Sequence, residues 1–522
     1  MTAKRVYIKK SLVILVLVLA VTLLWLPRAF DPNSSAAVPH KVHIAFGFHV
    51  NLYHSFRGDT NDLNGFGQDI RVIRHTLREL DRYNQAGVPV SAVWDFDNLF
   101  SLEQLLPGHA PDIIADVQRR VRQNRDDVIL MSYNNGLASA MDHEEFMAAV
   151  ELAISNEKGS GVRDIFGRVA PVVRPQEMMT TPGNFKRYRE LGIDYVSLYY
   201  SATPFDAFRL FSRELTPTEA HNPITYENPD SGEEIVVIPT YHPGDLVEHV
   251  SLRDWAEELH RLQSEGKIDR DVLLFINFDA DADFWTGADL PWHLDWLPNT
   301  GGIGQLIDSV TDLGFVEFTR LSDYLATHPP AGRVRFSQDT ADGSFNGYHS
   351  WAEKASASDY WTRILRNRRA SQNAQKMRAL AAGEGTAPSP ALQTQLEAAF
   401  ALRMRALSTT NFGLASPFLA RQRELAMAQL LAHLDETSDQ LEAYTAAQAA
   451  LLMESASPPR SIPAGGRLLD SFVHLNRSLP GPATGDLRLD LALPADLTPR
   501  QGLWLMDIKG RRIPAALARK TP

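Results

Sequence analysis

A chain of 522 residues, 44% apolar and 22% charged, has the composition of a globular protein and the length of two to four domains. Its formal charge of −11 becomes −16 once the five basic residues of the first thirty are set aside, which argues against nucleic acid as a partner. Cysteine is absent, so disulfides and thiolate chemistry are excluded.

The amino terminus is read first. "MTAKRVYIKK" places Lys4, Arg5, Lys9 and Lys10 ahead of the uncharged run "SLVILVLVLAVTLLWLP". That run lies at the short edge of a membrane span, ~17 to 25 residues, and above the ~7 to 15 of a signal-peptide core. A basic flank stays in the cytoplasm. The expectation is an N-terminal anchor in the cell inner membrane with the body on the periplasmic side. Cleavage near "SSAAVP" would instead make the body secreted. Residues 1–39 form this anchor or signal peptide with its linker.

From His43 to about Thr327, strand-like and helix-like segments alternate, the pattern of an α/β domain. "KVHIAFGFHV" reads as a strand and "QDIRVIRHTLRELDRYNQAG" as a helix. "VPVSAVWDFDNLF" follows as strand and loop, then the helix "PDIIADVQRRVRQN" and the strand "DVILMSYNNG". "HEEFMAAVELAISNEKG" is helical, "VAPVVRPQEMM" a strand with its loop, and "GNFKRYRELGIDYVSLYY" a helix, a glycine stop and a strand. "EEIVVIPTYHP", "LRDWAEELHRLQSEG" and "DVLLFINFDADADFW" continue as strand, helix and strand, before "IGQLIDSVTDLGFVEFTRLSDYLA" ends the region. Polar residues recur where these strands finish: His49, Asp95 and Asp97, Asn134 and Asn135, Glu177, His242 and Asp279. In a (β/α) barrel that edge is where chemistry collects. The barrel is assigned to residues 40–335, a helical domain to 336–455, a linker to 456–466 and a short β-rich segment to 467–522.

"LLFINFDADADFW" ends an apolar strand in aspartates at alternate positions. If it stays extended, Asn277, Asp279, Asp281 and Asp283 share one face. Neighbouring carboxylates would then sit roughly 6 to 7 Å apart and repel by about 2 to 3 kcal/mol at an effective dielectric near 20. Such a cluster needs a cation, an arginine or a retained proton.

The strand "FGFHVNLYH", the stretch "VVRPQEMM" and "FDADADFW" together resemble glycoside hydrolase family 57, with features similar to family 38. The resemblance implies an α-glycosidase on a (β/α)7-type barrel, followed by a helical bundle and a short C-terminal β segment. It also implies that Glu177 is the nucleophile and Asp279 the acid/base, with His49 on the substrate. The departures are the missing Gln-Pro after His49, Gln176 in place of a proline, and Asp281 in place of a glutamate. Retaining hydrolysis needs two carboxyls about 5 to 5.5 Å apart, one of them protonated, and like charge nearby is one way to retain that proton.

Trp94, Asp95, Asp281 and Trp285 are the further candidates for substrate binding, the tryptophans as platforms for sugar rings. No cofactor is expected in this reading, and the partner is an oligo- or polysaccharide. Two alternatives have different chemistry. A zinc enzyme of family 38 or polysaccharide-deacetylase type would draw ligands from His49, Asp95 or Asp97, and His242 or His249, although Asn51 stands where family 38 has an aspartate. A degenerate barrel could bind envelope glycan without turning it over.

Overall fold

The computed structural model describes residues 40–52, 67–200, 213–288, 291, 297–335, 337, 339–341, 355–383, 390–409, 421–455, 505–506 and 512–513. The expected N-terminal anchor, residues His54 and Arg57, Trp292, Trp296 and the expected linker at 456–466 lie outside them. Among the described residues, no helix is long and apolar enough to cross a membrane.

The strands in chain order are β1 (Val42–Val50), β2 (Ala92–Phe96), β3 (Asp127–Ile129), β4 (Val172–Val173), β5 (Tyr195–Tyr199), β6 (Ile224–Glu227), β7 (Glu234–Thr240), β8 (Val272–Asp279), β9 (Val316–Phe318) and β10 (Arg333–Arg335). One sheet runs β3-β2-β1-β8, with β9 beside the start of β1, and every pair in it is parallel. The second runs β10-β6-β7-β5-β4, parallel except between β6 and β7. Two isolated parallel bridges join the sheets, Leu130 to Val173 beyond β3 and Tyr241 to Ile276 beyond β7. Backbone hydrogen bonds from Arg174 to Leu130 (2.8 Å) and from Tyr241 to Phe275 (2.8 Å) accompany them.

β1 is buried along its whole length. Parallel strands covered on both faces read as nearly continuous apolar runs rather than alternating ones, which explains "VHIAFGFHV". Period 2 nevertheless sorts its residues. Val42, Ile44, Phe46, Phe48 and Val50 belong to the large cluster shared with the covering helices. Ala45 instead packs with Val93, Ile129, Val172, Ile238, Leu273 and Phe275, side chains from five other strands, with Tyr195 of β5 beside them. Leu321, Tyr324 and Leu325 of helix Leu321–Thr327 close this inner cluster at the N-terminal end of the strands. The inward face thus begins apolar. Two and four residues further along the same strands it carries His49, Asp95, Arg174, Tyr199, Thr240, Asn277 and Asp279.

The covering helices are amphipathic for the expected reason. Helix Leu252–Ser264 starts at Ser251, whose hydroxyl accepts from the Asp254 amide at 3.1 Å, and buries Leu252, Trp255, Ala256, Leu259 and Gln263. After β10 come helices Ala355–Gly383, Pro390–Ala406 and Arg421–Ser455. They dock on the loop after β3 and on helix His143–Ile154. Asn134 Nδ2 donates to the Met404 carbonyl at 2.7 Å, and Thr409 Oγ1 donates to that of Asn135 at 2.8 Å. Arg368 and Arg403 both converge on the fully buried Glu145. Asn134 and Asn135, expected among the polar residues of the barrel edge, are therefore a buried joint to the helical domain. In the C-terminal segment, the described pairs are Leu505–Met506 and Arg512–Ile513, which run antiparallel.

Candidate active site

Register builds the centre of the site. His49 is the partner of Asp95 on one side and of Asp279 on the other, and neighbouring strands lie about 4.8 Å apart. The three side chains form one inward row across β2, β1 and β8. His49 and Asp95 are buried, and the Asp95 carboxylate accepts a hydrogen bond from Nδ1 of His49. With its proton held at Nδ1, a neutral imidazole presents a bare Nε2. The second oxygen of Asp95 accepts from Asn277 Nδ2 at 3.4 Å. Gly47 makes room for that amide, because a Cβ there would lie 2.3 Å from Asn277 Nδ2.

Across from this row stands Arg174, two residues beyond Val172 on the inward face of β4. It is buried, and its Nη2 donates to the Tyr199 hydroxyl at 3.2 Å, which in turn donates to the Asn277 carbonyl at 3.1 Å. Burial alone works against its charge, yet Tyr199, Asp95 and Asp279 hold its pKa above the ordinary arginine value. Nε and Nη1 of this guanidinium have no hydrogen-bond partner. Arg174 is the counter-charge that the acidic edge requires.

Three residues on, Glu177 is half-buried with φ 54° and ψ 27°, and Met178 also has φ 54°. Non-glycine residues in this left-handed region cost about 1 to 3 kcal/mol each, so surrounding bonds must enforce them. They do. The Met178 amide donates to Pro175 at 3.0 Å and the Met179 amide to Gln176 at 3.0 Å. Thr340 Oγ1 donates to the Met178 carbonyl at 2.5 Å, and the Tyr199 amide reaches Met178 Sδ at 3.3 Å. Gln176, the residue that departs from the family pattern, donates from Nε2 to Glu177 Oε1 at 3.1 Å. Asp279 is half-buried and closes β8.

The extended ladder of aspartates is corrected. The Ala280 amide bonds to His49, but the Ala282 amide then turns back to the Asp279 carbonyl at 3.1 Å, and Asp283–Trp285 form a 3-10 turn. Asp281 is half-buried, Asp283 is exposed, and neither continues the row.

Trp94 and Trp285, expected as sugar platforms, are corrected too. Both are fully buried. Trp94 stacks on Phe48 at 4.8 Å and donates to Asp126 Oδ2 at 2.9 Å. Trp285 packs against Phe46 and Phe48 and donates to the Asp279 carbonyl at 2.8 Å. Neither has a ring face to offer; Trp285 acts by fixing the end of β8.

Of the residues weighed for zinc, Asp97, His242 and His249 are engaged elsewhere, and Asn51 brings no charge. Asp97 spends its carboxylate on the amides of Phe100 (2.9 Å) and Ser101 (3.0 Å) and on the Ser101 hydroxyl (2.7 Å). His242 Nδ1 accepts from the Gly244 amide at 2.8 Å, and His249 stacks on Trp255 at 4.3 Å. Asn51 is buried but has no anionic oxygen to give. What sequence reasoning missed is Arg174, although its place two residues after the inward Val172 is a period-2 signal.

No family model matches the chain, and no curated protein matches it. Solved structures similar to it include the 4-alpha-glucanotransferase from Thermococcus litoralis (TM-score 0.48, 16% identity, 75% of this chain and 60% of that one). The alpha-amylase AmyC from Thermotoga maritima gives TM-score 0.48 at 9% identity, over 78% of this chain and 96% of that one. A GH57-type branching enzyme from Pyrococcus horikoshii gives 0.47 at 13% identity, over 76% and 94%. The chain spans about 60% of the length of the glucanotransferase.

Proposed function

We propose that this chain is an exported, membrane-tethered α-glycoside hydrolase or transglycosylase acting on an oligo- or polysaccharide, with Glu177 as nucleophile and Asp279 as acid/base. In this reading the two sheets, joined at Leu130–Val173 and Tyr241–Ile276, close as one (β/α)7 barrel. The observation that carries the proposal is the inward row of His49, Asp95 and Asp279, with Arg174 electrostatically coupled to both acids and Glu177 three residues beyond Arg174.

Each group then has a task. The Glu177 carboxylate attacks the anomeric carbon while Asp279 gives its proton to the departing glycosidic oxygen, and Asp279 next takes a proton from the incoming water or sugar hydroxyl. His49 Nε2 accepts from a sugar hydroxyl, its ring fixed by Asp95. Arg174 holds the local charge near neutrality while negative charge shifts between the carboxylates. Half-burial of Glu177 and Asp279 suits groups that must meet a substrate and yet be shielded from bulk water.

The test is turnover of an activated aryl α-glycoside by Glu177→Gln and Asp279→Asn, with circular dichroism as the folding control. Each should lose about 10³-fold or more. In Glu177→Ala, added azide should restore release of the aryl group. Full turnover by folded Glu177→Gln overturns the nucleophile assignment. The tether is tested separately, by whether deletion of residues 1–39 moves the protein from the membrane fraction to the soluble one.

A further inference from the structure

At the opposite end of the barrel, where the strands begin, three residues from distant parts of the chain converge. His43 lies in β1, Asp271 directly precedes β8, and His328 follows helix Leu321–Thr327. Their ligand atoms all lie within 4.8 Å of one another. His43 Nε2 is 3.5 Å and His328 Nε2 3.2 Å from the same oxygen, Asp271 Oδ2. His40 Nδ1 stands 3.5 Å from the other oxygen, Oδ1. We propose that this is a structural divalent-metal site suited to zinc, with His43, Asp271 and His328 as ligands.

The 3.5 Å between His43 Nε2 and Asp271 Oδ2 is the spacing of a coordination shell, and the 3.2 Å to His328 lies at the long end of hydrogen bonding. Zinc bonds of about 2.0 to 2.2 Å in tetrahedral geometry put neighbouring ligand atoms about 3.3 to 3.5 Å apart. Direct nitrogen–oxygen hydrogen bonds centre nearer 2.9 to 3.0 Å.

The ring orientations lead to the same conclusion. His328 Nδ1 has the Tyr324 carbonyl and the Thr327 hydroxyl for company, each at 2.9 Å, so Nε2 is the nitrogen turned to Asp271. His43 Nδ1 is buried without a partner, which leaves Nε2 as the ring atom with polar company.

The surroundings are those of a supported site. The Tyr324 carbonyl and the Thr327 hydroxyl hold His328 Nδ1, and the Tyr324 and His328 rings stack at 3.9 Å. The Lys41 amide donates to Asp271 Oδ1 at 2.9 Å. Such outer contacts orient metal ligands. The nearby Lys41 ammonium does not fill the site, being engaged with the Gly314 carbonyl at 3.0 Å and Glu317 at 3.3 Å. A metal here ties the first strand to β8 and to the helix that plugs the barrel. This end of a barrel is where stability rather than catalysis resides.

The experiment uses the full chain, stripped with a chelator and titrated with zinc against a chromogenic competitor. We expect one zinc per chain, a cobalt derivative with the intense visible absorption of a tetrahedral centre, and an unfolding midpoint several degrees higher with metal. His328→Gln, at a partly exposed position, should lose at least 100-fold in affinity and the whole metal-dependent shift. Asp271→Asn should do the same. Should Asp271→Asn fail to fold, His328→Gln still decides. Wild-type protein that binds zinc no better than His328→Gln, or that gains equal stability from it, overturns the proposal. A wild type indifferent to zinc would mean that a proton alone bridges these groups, and the proposal falls.

Discussion

The Asp95 carboxylate, wholly buried, is hydrogen-bonded to Nδ1 of His49 in the adjacent strand. In Asp95→Asn the amide can donate to Nδ1, which would move the ring proton to Nε2 and turn an acceptor into a donor. Turnover of an aryl α-glycoside should fall by about 10² to 10⁴-fold, the range in which a mis-set tautomer acts. The loss should appear in kcat more than in KM. Wild-type kinetics in the folded variant would show that the His49 tautomer does not matter.

Gly47 and Asn277 face each other across β1 and β8. A methyl at residue 47 would stand 2.3 Å from Asn277 Nδ2 and 2.8 Å from its Cβ and Cγ. Gly47→Ala should therefore destabilise by about 1 to 3 kcal/mol, the usual cost of overpacking. Asn277→Ala in the same chain removes the amide and should recover part of it, so that urea unfolding of the two single variants and the double gives a non-additive cycle. Additive effects would mean that the strands move apart instead.

Glu145 is the buried carboxylate on which two guanidiniums of the C-terminal helices meet, Arg368 Nη2 at 2.6 Å and Arg403 Nε at 2.9 Å. Glu145→Gln keeps the shape and removes the charge. Breaking a buried ion pair on one side costs about 3 to 5 kcal/mol. Hydrogen exchange should rise across residues 355–383 and 390–406 well before strands β1 to β8 respond. Uniform exchange behaviour in both regions would contradict a local joint.

Acid should act through Glu219. The guanidinium of Arg213 holds its carboxyl down at about 2, against an ordinary value of 4.5, with burial opposing and the Thr216 cap assisting. A carboxyl with a depressed folded pKa stabilises the fold fully above its unfolded value and loses that contribution as pH falls from about 4.5 through about 2. Arg213→Ala should raise the acid-unfolding midpoint, followed by circular dichroism between those limits. An unchanged midpoint would show that Arg213 is not what holds Glu219.

The strands and their polar ends were legible because burial on both faces imprints continuous apolar runs, and because His49, Glu177 and Asp279 each interrupt such a run at its end. Where the chain leaves β geometry, the same pattern misled. "DADADFW" looks like a continued strand, yet the turn at Asp279 depends on Trp285 returning to that carbonyl, a contact six residues away. The tryptophans were misplaced because an aromatic next to an acid looks the same whether it faces solvent or core; Trp94 goes inside since Asp126 satisfies its indole nitrogen. Arg174 was overlooked because its partners, Tyr199, Asp95 and Asp279, come from three other strands and leave no local signature.

The strained turn at Glu177 and Met178 is held in part by Thr340, which lies beyond β10 at Arg335. A fragment ending at residue 335 would keep β1 to β10, Glu177 and Asp279 but lose the tether on the backbone that aims Glu177. Modular reuse of these two sheets, by evolution or by an engineer, would have to carry that downstream threonine along.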